Sequence, residues 1–211
     1  MIDLYTFATP NGRKVSIMLE ELGLSYTVHL VDISDDHQFR EEFLKISPNN
    51  KIPVIVDHEN GMSLMESGAI LLYLAEKTGQ LMPKDETGRW QVIQWLMFQM
   101  GGLGPMLGQV HHFLRFNPGI SEYAEQRYRN EALRMLGVMD RQLGKHDYLA
   151  GDYSIADIAA WPWVSRFEWQ EIDLNDFPNV KRWYLDIAAR PAVQRGYKVP
   201  TDLGDIPLPD D

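Results

Sequence analysis

Cysteine is absent from all 211 residues, which excludes disulfides, thiolate metal sites and any nucleophilic protein thiol. Its absence is compatible with a reducing cytosol, and a cytoplasmic location is expected. No run of about eighteen apolar residues occurs, so no bilayer-spanning helix is expected. The N-terminal MIDLYTF lacks a basic segment followed by an apolar one and does not read as a secretory signal. Also missing are a glycine-rich phosphate loop, a GxSxG elbow, zinc-type spacing, internal repeats and low-complexity tracts. Positive charge is in deficit, with 20 Lys and Arg against 30 Asp and Glu, a net charge of −10. The mean surface potential therefore opposes DNA, RNA and anionic membranes. Against these absences stands a hydrophobic fraction of 45%, enough to bury a core in one large or two compact domains.

Periodicity divides the chain in two. MIDLYTF alternates like a strand, and Val15, Met18, Leu19 and Leu22 follow with helical spacing, ended by Gly23. YTVHLVDI reads as a second strand, FREEFLKIS as a short helix stopped by Pro48, and IPVIVDH as a third strand. Asn60-Gly61 turns the chain into a fourth strand, and SGAILLYLAEKTG is a helix closed by Gly79. The order β-α-β-α-β-β-α fills residues 1–80. Residues 87–200 show only helical patterning: WQVIQWLMFQM, interrupted by glycine and proline from Gly101 to Pro105; Glu122 to Leu143, with Tyr128, Ala132, Met135, Met139 and Leu143 in one stripe; a helix from Ser154; and another through Val180, Trp183, Tyr184 and Ile187. Residues 201–211 bury little and are expected to be a loose tail.

Three short stretches can do chemistry. Thr9 suits the N-cap and Pro10 the first position of a helix, leaving the amides of Asn11 and Gly12 to face an anion. Thr9 as a plain cap fits as well. In NNKIPVI, Pro53 cannot give a ladder hydrogen bond, and a cis Ile52-Pro53 bond would leave the Ile52 backbone open to an extended peptide. An ordinary edge proline fits as well. In MESGAILLYL, Ser67 can cap a helix whose amides face a carboxylate, while Glu66 accepts from an ammonium. Together they would hold an amino-acid zwitterion, although a solvated Glu66 beside a plain cap also fits. Ser154-Ile155-Ala156-Asp157 is a capping box and reads as structural. His111 and His112 point about 100° apart on a helix and make a poor metal pair, so no metal is expected.

Taken in order, these motifs resemble the glutathione transferase superfamily. The likeness covers nearly the whole chain: a thioredoxin-like N-terminal domain and an all-α C-terminal domain holding the SIAD box. FATPNGRK, QFREEFLKISPNNKIPVIVDH, ESGAILLYLAEKTG, GGLGPMLGQVHHF and YSIADIAAWPWV are similar to the bacterial nu class, itself similar to the fungal nitrogen regulators. The resemblance implies a dimeric glutathione-dependent disulfide-bond reductase holding two glutathione molecules or one glutathione disulfide per site. It places Thr9 and Asn11 beside the glutathione sulfurs and pairs the Ile52 backbone, before cis-Pro53, with the cysteinyl unit. Glu66 and Ser67 would hold the γ-glutamyl end, with Gln38 and Lys51 near the ligand's polar ends. Arg127 matches an arginine reaching in from the neighbouring subunit; a solvated helix-face arginine is its alternative. The loop after Asp57 is shorter than in the best-known members and the stretch from Phe113 to Gly119 differs, which bears on the acceptor. Conjugation of glutathione to electrophiles and a non-catalytic, glutathione-binding regulatory role are the competing readings.

Overall fold

The computed structural model describes residues 1–210, which form two compact units. The first comprises residues 1–80 and 189–206. Its four strands, β1 (Ile2–Thr6), β2 (Tyr26–Leu30), β3 (Val54–Asp57) and β4 (Met62–Met65), form one sheet in the order β2-β1-β3-β4. β1 and β2 run parallel, as a crossover through a helix requires, and β3 is antiparallel to both β1 and β4. The β3–β4 turn is held by Gly61 N donating to Asp57 O and Met62 N to the Asn60 side chain.

Helices α1 (Pro10–Glu21), α2 (Glu41–Leu44) and α3 (Ser67–Thr78) complete the expected β-α-β-α-β-β-α order. Tyr5, Val54 and Met65 share a sheet face with Phe43 of α2. Side chains alternate along a strand, so the fully buried Leu4 and Ile55 take the other face, that of α3. The expected helix around Phe43 is a single turn, and Gly79 closes α3 as its spacing implied.

One segment falls elsewhere than expected. Residues 189–200, included above in the helical domain, belong to the first unit, where α9 (Pro191–Tyr197) packs on α1. The contact is close because Gly196 has no side chain: a Cβ there would stand 2.6 Å from Ile17 Cα. Ser16 Oγ donates to Gly196 O at 2.7 Å, Arg13 Nε donates to Tyr197 O, and Arg190 grips Glu21 with two bonds. Alternation of apolar residues cannot reveal such an attachment, since α9 would look amphipathic against any partner.

The second unit holds α4 (Glu86–Phe98), α5 (Gly104–Val110), α6 (Glu122–Leu143), α7 (Ile155–Val164) and α8 (Pro178–Ala188), with no strand among its described residues. Gly101 to Pro105 does not break the helix. The chain widens into π turns over 99–103 and again over 111–116, which keeps it helical although Pro105 has no N–H to give. The α6 stripe is buried at Ala132, Met135, Met139 and Leu143, while Tyr128 is half-buried and stacks on Phe113. His111 is a core residue: it stacks on Trp163 and bonds Gln170, and burial pushes its pKa down to about 4. The tail lacks regular structure but is anchored, with Tyr184 donating to Pro207 O at 2.6 Å and Lys181 to Asp210 O. Among the described residues no helix is long and apolar enough to cross a membrane.

The capping box forms as read and does more than cap. Asp157 is fully buried and accepts from Leu149 N, Trp183 Nε1, Ser154 N and Ser154 Oγ, tying the loop before α7 and helix α8 to one carboxyl group. Burial pushes its pKa up to about 6 against the pull of those donors. Asp157→Ala strands at least three buried donors, at about 1–3 kcal/mol each. A drop in melting temperature of roughly 10 °C or more is expected in a calorimetric scan. Because the folded carboxyl holds its proton to higher pH than the unfolded one, its contribution is full below about pH 4 and fades towards pH 6. Wild type should therefore lose stability relative to Asp157→Asn as the pH rises through that window, measured by denaturant unfolding.

Candidate functional site

Strand register places the three chemical stretches. Tyr5 pairs with Val54, and Val54 pairs with Met65. The end of β1, the start of β3 and the end of β4 therefore lie side by side at one edge of the sheet. Thr9-Pro10-Asn11, Ile52-Pro53 and Glu66-Ser67 leave the sheet at that same end. β2 finishes there too, with Leu30 beside Thr6, and runs into the segment carrying Gln38. Eight of the nine residues singled out from the sequence thus belong to the first unit. Arg127 belongs to the second, exposed on α6, where it lines a surface cavity of about 580 Å³ with Tyr123 and Arg134.

At the start of α1, Thr9 is the N-cap in extended conformation and Pro10 the first helical residue. Gly12 N donates to Thr9 Oγ1 at 3.2 Å. That amide, expected to face an anion, is spent on the cap, because the threonine hydroxyl reaches it first. The hydroxyl acts there as an acceptor, which leaves its own proton to be donated. Gly12 is required for the approach of α1 to β1: a Cβ would fall on the Phe7 carbonyl and within 2.5 Å of Thr6 Oγ1.

The Ile52-Pro53 bond is cis. Neither backbone group of Ile52 has a hydrogen-bond partner among the described residues. The preceding turn is fixed by Ser47, whose hydroxyl donates to Lys51 O at 2.9 Å, while the Lys51 side chain is exposed. Gln38 sits in a 3₁₀ turn with its amide nitrogen 3.4 Å from Asp36 and its Oε1 buried without a partner.

The start of α3 differs from the expected cap. Glu66, not Ser67, occupies the N-cap position, at φ 68° and ψ 110°, and no side chain caps the helix. A non-glycine residue in that region stores about 1–3 kcal/mol, a strain found where a side chain must be aimed. Ser67 is the first helical residue, and its Oγ accepts from Lys14 Nζ at 3.2 Å. Lys14 is 1% exposed. Burial pushes its pKa down to about 7, opposed by the Glu66 carboxylate. Lys14 was not singled out from sequence, yet it stands four residues before Met18 on the apolar stripe of α1, which is the signal that could have found it. Asn49 Nδ2 lies 3.5 Å from Glu66 Oε1. One edge of the sheet thus carries a hydroxyl donor, an unpaired backbone unit, and an adjacent carboxylate and hydroxyl over a buried ammonium.

Residues 4–81 match the family profile described as "Glutathione S-transferase, N-terminal domain", and residues 104–191 match "Glutathione S-transferase, C-terminal domain". The chain is 50% identical over 211 residues to the Escherichia coli protein "Disulfide-bond oxidoreductase YfcG", covering 97% of this chain and 98% of that one. A glutathione transferase from Pseudomonas putida, crystallised with one glutathione disulfide per subunit, superposes with a TM-score of 0.91 at 48% identity, over 94% of this chain and 91% of that chain. A glutathione transferase from Burkholderia graminis with two glutathione molecules bound per subunit gives 0.89 at 48% identity, over 94% and 88%.

The cap predicts a stability effect separable from any chemistry. Thr9→Ala should cost about 1 kcal/mol of unfolding free energy and Thr9→Ser little. Gly12→Ala should cost more than Thr9→Ala, because backbone and not a flexible side chain must yield; urea titration of the three variants checks the order.

Proposed function

The chain belongs to the glutathione S-transferase family, and on that premise we propose that it is a glutathione-dependent disulfide-bond reductase whose reactive sulfur belongs to the ligand. The observation that carries this reading is the convergence of a capped helix start, an open cis-Pro53 backbone and the Glu66-Ser67 pair at one sheet edge, in a chain with no cysteine.

In this reading glutathione lies extended along that edge. The Ile52 backbone pairs with its cysteinyl unit, as an added strand would. Glu66 accepts from the γ-glutamyl ammonium and Ser67 donates to the α-carboxylate. Lys51 meets the glycyl carboxylate, and Gln38 lies near the ligand's polar ends. The sulfur comes to rest by Thr9 and Asn11. Arg127 of a second copy completes the site in a homodimer. The reaction draws on reduced glutathione, which suits the cytoplasm.

The protein's task is to make and hold a thiolate. A free thiol titrates near 8.5, so little is ionised at neutrality. A hydrogen bond from the Thr9 hydroxyl to the charged sulfur contributes about 1.5–3 kcal/mol. The start of α1 adds about 0.3–1 kcal/mol. One pKa unit corresponds to about 1.36 kcal/mol, so after desolvation the thiol falls by roughly one to two units. The bound thiolate attacks one sulfur of a disulfide, forming a mixed disulfide and releasing the other sulfur as thiolate, which takes up a proton. A second glutathione thiolate then attacks the glutathione sulfur of that mixed disulfide, yielding glutathione disulfide and the second reduced thiol. No protein base is needed, and catalysis comes from positioning and fixed dipoles.

Thr9→Ala is expected to raise the pKa of bound glutathione by about one unit and to lower the rate of hydroxyethyl disulfide reduction at pH 7 about tenfold, with Thr9→Ser retaining most of it. Ultraviolet titration of the bound thiolate and a coupled reduction assay check both. An unchanged rate with binding intact removes Thr9 from the mechanism. Turnover of an aromatic halide without disulfide reduction would make the chain a conjugating enzyme, and binding without either activity a regulatory protein.

A further inference from the structure

The ammonium of Lys14 is buried inside the first unit although a chain with this composition has abundant apolar residues to fill the same space. Lysine is almost never fully buried unless a partner repays its desolvation. Its Nζ is 3.2 Å from Ser67 Oγ, and an ammonium has no lone pair, so the hydroxyl must accept from it. The Ser67 proton is thereby directed away from Lys14, and the charge behind it makes the hydroxyl a stronger donor. The start of α3, where no side chain caps the backbone, adds positive potential at the same residue. Glu66 stands beside it with the opposite sign. Arg13, the neighbour of Lys14 in sequence, faces α9 instead, with its guanidinium 3.6 Å from the Tyr197 ring centre.

We propose that Lys14 is a positioning residue of this site, supplying through Ser67 the positive charge that selects an α-carboxylate, so that the ligand is recognised as an amino-acid zwitterion and not as an amine alone. This rests on the glutathione reading above and adds to it a buried group that never touches the ligand. Burial holds the Lys14 pKa at about 7, with Glu66 the titratable neighbour whose charge opposes that shift. An arriving carboxylate favours the ammonium, so above neutral pH binding takes up a proton.

Two ligands without a free thiol isolate the effect: S-methylglutathione, and its analogue in which 4-aminobutyrate replaces the γ-glutamyl unit and so lacks the α-carboxylate. Lys14→Met should weaken S-methylglutathione about tenfold to a hundredfold and change the analogue by less than about twofold, while Lys14→Arg restores most of the preference. Equal losses for both ligands, or no loss for either, overturn the proposal. Should Lys14→Met not fold, calorimetry of wild type and Lys14→Arg at pH 8 in two buffers of different ionisation enthalpy decides. Proton uptake on binding S-methylglutathione in wild type alone supports the proposal, and equal uptake in both overturns it. Wild type that binds neither ligand overturns the glutathione reading with it, whereas wild-type binding indifferent to residue 14 removes only the role of Lys14.

Discussion

Antiparallel pairing of β3 with β1 on one side and β4 on the other is the constraint from which the site follows. Each pairing folds the chain back, so the end of one strand stands beside the start of the next. Three segments distant in sequence leave the sheet at one edge, and each carries a different polar function. The register is held by burial: Leu4 and Ile55 face one layer of helices, Tyr5, Val54 and Met65 face Phe43. A slip of one residue would reverse every side chain and exchange the two packed sets between the faces. The geometry of the site is therefore as firm as the core beneath it.

Upon that edge the polypeptide arranges charge more than reactive groups. Thr9 accepts from Gly12 N through one lone pair, which leaves the hydroxyl proton to be donated. Ser67 repeats the device at the start of α3, accepting from Lys14. In both places a hydroxyl is oriented by the group it accepts from. Glu66 sets a negative charge next to this donor, at the cost of a backbone conformation that residues other than glycine seldom adopt. Such an arrangement suits a ligand that brings its own nucleophile and a charge of each sign.

Stability comes from contacts of another kind. In the first unit, α9 is bound to α1 by close packing at Gly196, by Ser16 and Arg13, and by the Arg190–Glu21 pair. In the second, the carboxyl of Asp157 gathers four donors, and α7 around it is apolar on nearly every side. Full satisfaction of the Asp157 network is what makes a buried carboxyl tolerable there.

Sequence alone determined what depends on neighbours a few residues apart. The order of strands and helices, the Thr9-Pro10 start, the SIAD box and the buried stripe of α6 are all local patterns, because capping and amphipathicity act over one to three turns. The family resemblance, carried by five stretches from FATPNGRK to YSIADIAAWPWV, pointed to the fold and to glutathione. Tertiary structure decided the rest. Glu66, not Ser67, holds the N-cap position of α3, and the Ser67 hydroxyl accepts instead from a lysine fifty-three residues earlier in the chain. The allegiance of α9 depended on a glycine meeting Ile17 across the unit. Gly101 to Pro105 looked like a break, yet packing kept it helical by widening the turn. In each case the deciding partner is remote along the chain and close in space, and no periodicity encodes which remote group arrives.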